Sequence, residues 1–192
     1  MRGRRILAFV LPVAVASCVG APDLADQVRA TASAGTVVPA DAGLLSAADR
    51  DFVAAAFQDG FAEVDTARLA SRRADSAAVR DIARTTEAQQ RKAVEELAAI
   101  IARLGVKPPA ARDAAQREGQ DALAALSGRA FDRHYVLQQL AAETLRLAAY
   151  ERQAQQGGNA QLRAFARRHA PDTQRRLDAL RMIDSDLAAR GP

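Results

Sequence analysis

The chain has 192 residues, of which 49% are hydrophobic and 26% charged, a balance that is typical of a soluble globular protein. It contains no Trp and only 4% aromatic residues, which argues against a β-sandwich and against a surface that stacks nucleic-acid bases. The formal net charge is +4. Three of the basic residues, Arg2, Arg4 and Arg5, lie in a predicted export signal, and without them the charges almost cancel. Charge therefore gives no indication of a nucleic-acid partner.

Residues 1–17 are predicted to be a lipoprotein signal peptide. The three arginines are followed by an apolar stretch, residues 6–16, that is too short to span a bilayer as a mature helix. The stretch ends in VASC, which resembles a bacterial lipobox, so we expect cleavage before Cys18 and lipidation of its thiol. Cys18 is the only cysteine, and the exported protein is therefore expected to contain no disulfide. The alternative is ordinary cleavage after Ala16, which would leave a soluble periplasmic protein.

Residues 18–45 are predicted to form a flexible tether between the lipid and a folded domain. The segment is rich in Ala, Gly, Thr and Pro and shows no sustained hydrophobic period. A coil of this length reaches roughly 30 Å, so the domain would hang close to the membrane that holds it. Valine rather than aspartate follows Cys18, and we therefore expect the periplasmic side of the outer membrane.

Residues 46–189 are predicted to fold as an all-α bundle of four long helices, with an extra short helix between the second and third long ones. The abundance of alanine, leucine and arginine favours helices, and short connections favour antiparallel neighbours. The predicted spans are 47–74, 77–104, 110–126, 129–155 and 160–189.

The ends of these helices are predicted from capping and breaking residues. Side-chain caps are expected at three helix starts, at Ser46, Ser76 and Asn159. Breaks are expected at three helix ends, at Gly105, Gly128 and Gly157. Pro171 lies inside the last predicted helix and is expected to kink or split it, because proline removes a backbone donor and clashes with the preceding turn.

Each long helix places a polar residue near the midpoint of its apolar stripe. These residues are Glu63, Gln90, Glu143 and Arg176. An unpaired buried polar group costs about 1–3 kcal/mol, and an unpaired charge costs more, so we expect the four side chains to meet as an internal polar cluster. The alternative is that some of them lie at the edge of the stripe and reach water along their stems.

Three stretches of the chain resemble a known family. They are LSAADRDFVAAAFQDGFAEVDTARLA at residues 45–70, SGRAFDRHYV at residues 127–136 and LRAFARRHAPDTQRRLDAL at residues 162–180. Together they resemble the ferritin-like domain-of-unknown-function family of bacterial envelope proteins, often labelled outer membrane proteins. The resemblance covers residues 46–187 and implies a ferritin-like four-helix bundle.

The resemblance also implies where histidines are missing. The family usually carries histidine in the middle of its second and third helices and after the proline of its fourth helix. Those positions read Gln90, Glu143 and Arg176 here, whereas Glu63 matches a carboxylate that the family commonly has. The resemblance therefore places the same four residues at the centre of the bundle as the helical periodicity does.

A ferritin-like di-iron site needs two Glu-x-x-His motifs and two further glutamates. Here the two motifs read Glu-x-x-Gln, ending at Gln90, and Glu-x-x-Arg, ending at Arg146. Neither of these last residues is a good metal ligand. Arg176 is permanently charged, repels metal cations and can bind a carboxylate through two hydrogen bonds. Our hypothesis is that Arg176 neutralises Glu63, Glu143 or both in a metal-free cluster, with Gln90 bridging. The alternative is a metal held by other ligands, which would be Glu63, Glu87, Glu143 and His169.

The sequence thus predicts a non-enzymatic envelope lipoprotein with a binding or structural role and no cofactor. We expect the membrane as a partner, through the lipid, together with an envelope protein or ligand that the sequence does not identify. The alternative function is that of a metal-binding ferritin-like protein, acting as an oxidoreductase or in metal storage. No glycine-rich phosphate loop and no defensible Ser/His/Asp spacing indicates another enzyme.

Overall fold

A computed structural model describes residues 45–107 and 114–189, and these residues form an all-helical bundle without strands. The all-α prediction is confirmed. The predicted signal peptide, the lipidation of Cys18 and the tether as far as residue 44 lie outside the described residues. Leu45, the last residue of the predicted tether, is buried in the apolar core. In the part of the chain that is described, none of the helices has the length and apolar character needed to cross a membrane.

Five helices make up the described part of the bundle. They are α1 (Ala47–Arg73), α2 (Ala77–Arg103), α3 (Ala114–Ala124), α4 (Gly128–Gln156) and α5 (Ala160–Ala189). Helices α1 and α2 form one hairpin, α4 and α5 form a second, and the short α3 lies on the connection between them. The hairpins meet mainly through α2 and α5, whereas α1 and α4 touch only sparsely. An open seam therefore runs along the bundle between α1 and α4.

Two buried aspartates, Asp49 in the first hairpin and Asp132 in the second, each bind the backbone of the turn in the opposite hairpin. Asp49, in the first turn of α1, accepts hydrogen bonds from the backbone nitrogens of Gly158 and Asn159 at 3.1 Å each. Asp132, near the start of α4, accepts from the backbone nitrogens of Asp75 and Ser76 at 3.0 and 2.7 Å. Helix α4 therefore starts beside the turn at which α1 ends, and the two helices run antiparallel along the seam.

The helix caps agree with the sequence at some ends and differ at others. Ser46 forms a capping box with Asp49, and the Asn159 side chain accepts from the backbone nitrogens of residues 161 and 162. Ser76 is the N-cap residue of α2, but its side chain makes no capping bond. The prediction of a Ser76 side-chain cap is wrong; at this helix start the Asp132 carboxylate of α4 accepts from the backbone nitrogen of Ser76 itself.

Two further helix-end predictions need correction. Gly128 does not end the short helix, because α3 already ends at Ala124 and Gly128, with φ of 55°, is the first residue of α4. Pro171 does not split α5, which continues without interruption from Ala160 to Ala189. Pro171 is exposed, so the backbone carbonyl that loses its partner in the preceding turn can be hydrated instead.

The apolar core is divided into two clusters by a polar layer. One cluster, near the α4–α5 turn, includes Phe52, Phe57, Leu97, Ile101, Tyr150 and Phe165. The other, near the α1–α2 turn, includes Ala70, Val79, Leu123, Phe131, Tyr135 and Leu180. The four midpoint residues predicted from the sequence lie between these clusters along their helices. The polar layer is thus sealed by apolar side chains at both ends of the bundle.

Gly60 allows α1 and α2 to approach closely. A Cβ atom added at Gly60 would lie 2.5 Å from Cγ2 of Val94, which is itself buried. We expect Gly60→Ala to lower the free energy of unfolding by about 1–3 kcal/mol through overpacking, although alanine is the better helix former. Urea unfolding of Gly60→Ala, Val94→Ala and the double variant measures this effect. Purely additive losses, or a stabilising Gly60→Ala, would contradict the close approach.

Candidate functional site

The structure brings the four midpoint residues into one buried layer. The exposed fractions are 4% for Glu63, 3% for Gln90, 0% for Glu143 and 5% for Arg176. Glu143 lies at the centre of the layer. Arg176 donates to it from Nε to Oε1 at 3.0 Å and from Nη2 to Oε2 at 2.9 Å, so both carboxylate oxygens are engaged by one guanidinium. Paired bonds of this kind are the strongest that an arginine makes.

Arg146 is a fifth member of the layer and was not predicted. Its side chain is 7% exposed, and it donates to Glu143 Oε1 at 2.6 Å and to Glu63 Oε2 at 3.1 Å. Of the two carboxylates that the hypothesis offered to Arg176, the structure pairs Arg176 with Glu143, whereas Glu63 pairs with Arg146. One signal could have found it: Arg146 follows Glu143 by three residues on the same helix, a spacing that places both side chains on one face.

Amide and hydroxyl groups complete the pairing of the two guanidinium groups. With its oxygen turned toward Arg146, the Gln90 amide accepts from Nη1 at 2.8 Å and from Nε at 3.1 Å. The Gln89 oxygen accepts from Arg176 Nη1 at 2.5 Å, and Thr173 Oγ1 accepts from Arg176 Nη2 at 3.2 Å. Gln90 thus bridges to Arg146 rather than to Arg176.

The layer holds two permanent cations and two carboxylates, so its formal charges balance. Burial raises the pKa of Glu63 above its ordinary value, an effect that Arg146 opposes and Glu143 reinforces. Burial by itself lowers the pKa of Arg146, but Glu63 and Glu143 outweigh it and raise the pKa above its ordinary value. Arg146 therefore remains charged at physiological pH.

The residues of the alternative metal site lie in different places. Glu87 is partly exposed and accepts from Nε of Arg68 at 3.1 Å and from Nη2 of Arg91 at 3.0 Å. His169 pairs through Nε2 with Glu96 Oε2 at 2.9 Å. Within residues 45–107 and 114–189, no group of three or more His, Cys, Asp or Glu is arranged to hold a metal ion.

The donor chemistry of the layer does not fit the di-metal centre that the ferritin-like resemblance implies. Both oxygens of Glu143 and one oxygen of Glu63 already accept from guanidinium groups. Arg146 stands where a Glu-x-x-His motif would place its imidazole, and a second guanidinium lies across Glu143. A divalent cation at this point would meet two fixed positive charges at close range.

Comparison with known families gives one result. The chain belongs to the family described as "Domain of unknown function (DUF4142)", which matches residues 34–183. No curated protein and no solved structure is significantly similar to the chain. The family description assigns no activity, so the function has to be inferred from the buried layer and the surface around it.

Proposed function

We propose that the protein is a non-enzymatic envelope module built on a ferritin-like four-helix bundle, in which two arginines take the place of metal ions. The observation that carries the proposal is the continuous chain of buried ion pairs from Glu63 through Arg146 and Glu143 to Arg176. In the family that the sequence resembles, histidines usually stand at the positions of Gln90, Glu143 and Arg176, and a carboxylate is common at the position of Glu63. Here two carboxylates and two guanidinium groups form a network whose formal charges balance.

The order of the helices supports the ferritin-like part of the proposal. Two antiparallel hairpins are joined by one long connection, as in bundles of that class. Each long helix contributes to the central layer, and the Glu143 to Arg146 spacing equals that of a Glu-x-x-His motif. A guanidinium holds its proton and has no accessible redox chemistry, so the layer supplies charge and hydrogen bonds rather than a reactive group. A binding or structural role follows.

Metal content is the experiment that tests this proposal. We expect protein purified without chelator, and then incubated with Fe²⁺ or Mn²⁺ and desalted, to retain far less than one metal ion per chain by elemental analysis. Glu87→Gln should leave that result unchanged, because Glu87 lies with Arg68 and Arg91 outside the layer. Stoichiometric iron or manganese in the untreated protein would overturn the proposal in favour of a metal-binding ferritin-like function.

The location of the module is a second part of the proposal. We place the mature N-terminus at a lipidated Cys18, with the bundle facing the periplasm from the outer membrane, because VASC closes a short apolar segment. Radiolabelled palmitate should be incorporated into the wild-type chain and not into Cys18→Ser, which should be recovered from the soluble fraction. Equal labelling of both proteins would contradict the lipid anchor.

A further inference from the structure

The outward face of α4 carries no charge along its middle. Every exposed residue between Tyr135 and Tyr150 is uncharged, because Glu143 and Arg146 lie in the buried layer. These exposed residues are Leu137, Ala141, Thr144, Leu145 and Ala148. The exposed faces of α2 and α5 carry surface ion pairs instead. A continuous surface without charges, about 24 Å long at the rise of an α-helix, is typical of the centre of a protein–protein interface.

Large and small side chains alternate along this face. Leu137 is 52% exposed and Leu145 is 73% exposed, and Ala141 and Ala148 lie next to them along the helix. At about 100° per residue, the four side chains fall within about 80° on one side of α4. Leu145 also lines the cavities of about 540 and 200 Å³ in the seam between α1 and α4. The surface therefore has projecting leucines with hollows beside them.

We infer that two copies of the chain associate through antiparallel α4 helices, with the leucines of one copy opposite the alanines of the other. A two-fold axis midway between Ala141 and Leu145 places Leu145 over Ala141 of the second copy. The same axis places Leu137 beside Ala148 of the second copy. Each copy presents the same surface, as a two-fold interface requires, and each projecting side chain meets a small one.

Charges at the ends of the face support the antiparallel orientation. Arg133 and Glu151 are both exposed, and they lie about five full helical turns apart, so they project from the same flank of α4. The two-fold axis brings Arg133 of each copy close to Glu151 of the other and forms two ion pairs at the rim. A parallel arrangement would bring like charges together instead.

A second copy fits this face better than a bilayer does. Helices that lie in a membrane surface bury bulky Trp, Phe and Leu side chains, whereas here every second position is alanine, which allows another helix to approach closely. The flanking seam and α4 offer a footprint of about 24 by 20 Å, or roughly 1,000 Å² over both copies, at the lower limit of specific interfaces. We therefore expect a reversible dimer with a micromolar Kd. The dimer does not depend on the metal content of the buried layer, so the inference and the proposed function are tested separately.

Sedimentation equilibrium of the full chain in density-matched detergent micelles tests the inference. The wild type should show a monomer–dimer equilibrium over micromolar concentrations. Leu145→Glu places a charge at the centre of the interface and should raise the Kd of the dimer about 10-fold or more. Met182→Glu is the matched control, because Met182 is 72% exposed but lies on α5, and it should dimerise as the wild type does.

Two results of this experiment would overturn the inference. One is a wild-type chain that stays monomeric at every concentration, which would leave the face to a different occupant. The other is a Leu145→Glu variant that folds, as urea unfolding shows, and still dimerises with the wild-type Kd.

A charge exchange tests the orientation. Arg133→Glu and Glu151→Arg should each raise the Kd about 3-fold or more, because each places like charges together at both rims. The variant that carries both changes should return toward the wild-type Kd, since the exchanged charges are complementary again. These effects should shrink as salt is added. A double variant that dimerises no better than the single ones would overturn the antiparallel pairing.

Discussion

Arg176→Met is expected to lower the free energy of unfolding by about 3–5 kcal/mol, the usual cost of leaving a buried charge without its partner. Methionine keeps much of the aliphatic stem of arginine. The loss of stability therefore measures mainly the two hydrogen bonds to Glu143. Equilibrium unfolding in urea measures the effect. Arg181→Met is the matched control on the same helix, because Arg181 is exposed and pairs with Asp178 at the surface, and it should cost less than about 1 kcal/mol.

A second substitution identifies which carboxylate depends on Arg176. Arg176→Met combined with Glu143→Gln restores the charge balance, since Arg146 and Glu63 remain paired, and should recover a large part of the lost stability. Arg176→Met combined with Glu63→Gln also balances the charge, but it leaves Glu143 Oε2 without the donor that Arg176 supplies, so it should recover less. Equal rescue by both changes would show that total charge matters and the observed pairing does not.

Asp49→Ala is expected to lower the free energy of unfolding by about 3 kcal/mol, because it leaves several buried donors without an acceptor. Besides the backbone nitrogens of the α4–α5 turn, Asp49 accepts from Gln153 Nε2 at 2.8 Å and from Ser46 Oγ at 2.9 Å. Asp51→Ala, a change at an exposed position of the same helix, should have little effect. If both variants unfold at the same urea concentration, the Asp49 contacts do not hold the two hairpins together.

The Asp49 contribution should also depend on pH. Burial raises the pKa of Asp49, but the hydrogen bonds from Gln153 and Ser46 outweigh this effect and lower the pKa below its ordinary value of 3.8. The folded state therefore favours the ionised form, and its stabilisation is complete above the ordinary value and is lost as the pH falls through the lowered one. The stability difference between wild type and Asp49→Ala should be largest at neutral pH and should shrink in acid. A difference that grows in acid would contradict the lowered pKa.

The sequence located the buried layer because helical periodicity records which residues face inward. Glu63, Gln90, Glu143 and Arg176 each interrupt an apolar stripe, and such interruptions are visible in one chain alone. The pairing within the layer was predicted only in part: Arg176 was expected to bind Glu63, Glu143 or both, and it binds Glu143. Arg146 was considered only as a poor metal ligand, because a cationic side chain repels a metal ion. The same positive charge makes it a good partner for a carboxylate, and its spacing from Glu143 indicates that contact.

Contacts between distant parts of the chain account for the other differences. The turn before α2 is held by Asp132, which is 56 residues away from Ser76, and no local rule can find such a partner. The uninterrupted course of α5 through Pro171 depends on which side of the helix faces water. The seam between α1 and α4 depends on how closely two hairpins pack, and the sequence carries no direct record of that distance.

The central claim, that guanidinium groups occupy the positions of cations in the buried layer, is tested most directly by ¹⁵N NMR of the arginine side chains. Arg146 and Arg176 should give resolved Nη signals, because their ion pairs block rotation, whereas exposed arginines should give averaged ones. The resolved signals that disappear in the Arg176→Met variant belong to Arg176. We expect both sets to stay sharp when one equivalent of Mn²⁺ is added. Averaged signals for both arginines, or selective broadening by stoichiometric Mn²⁺, would contradict the claim.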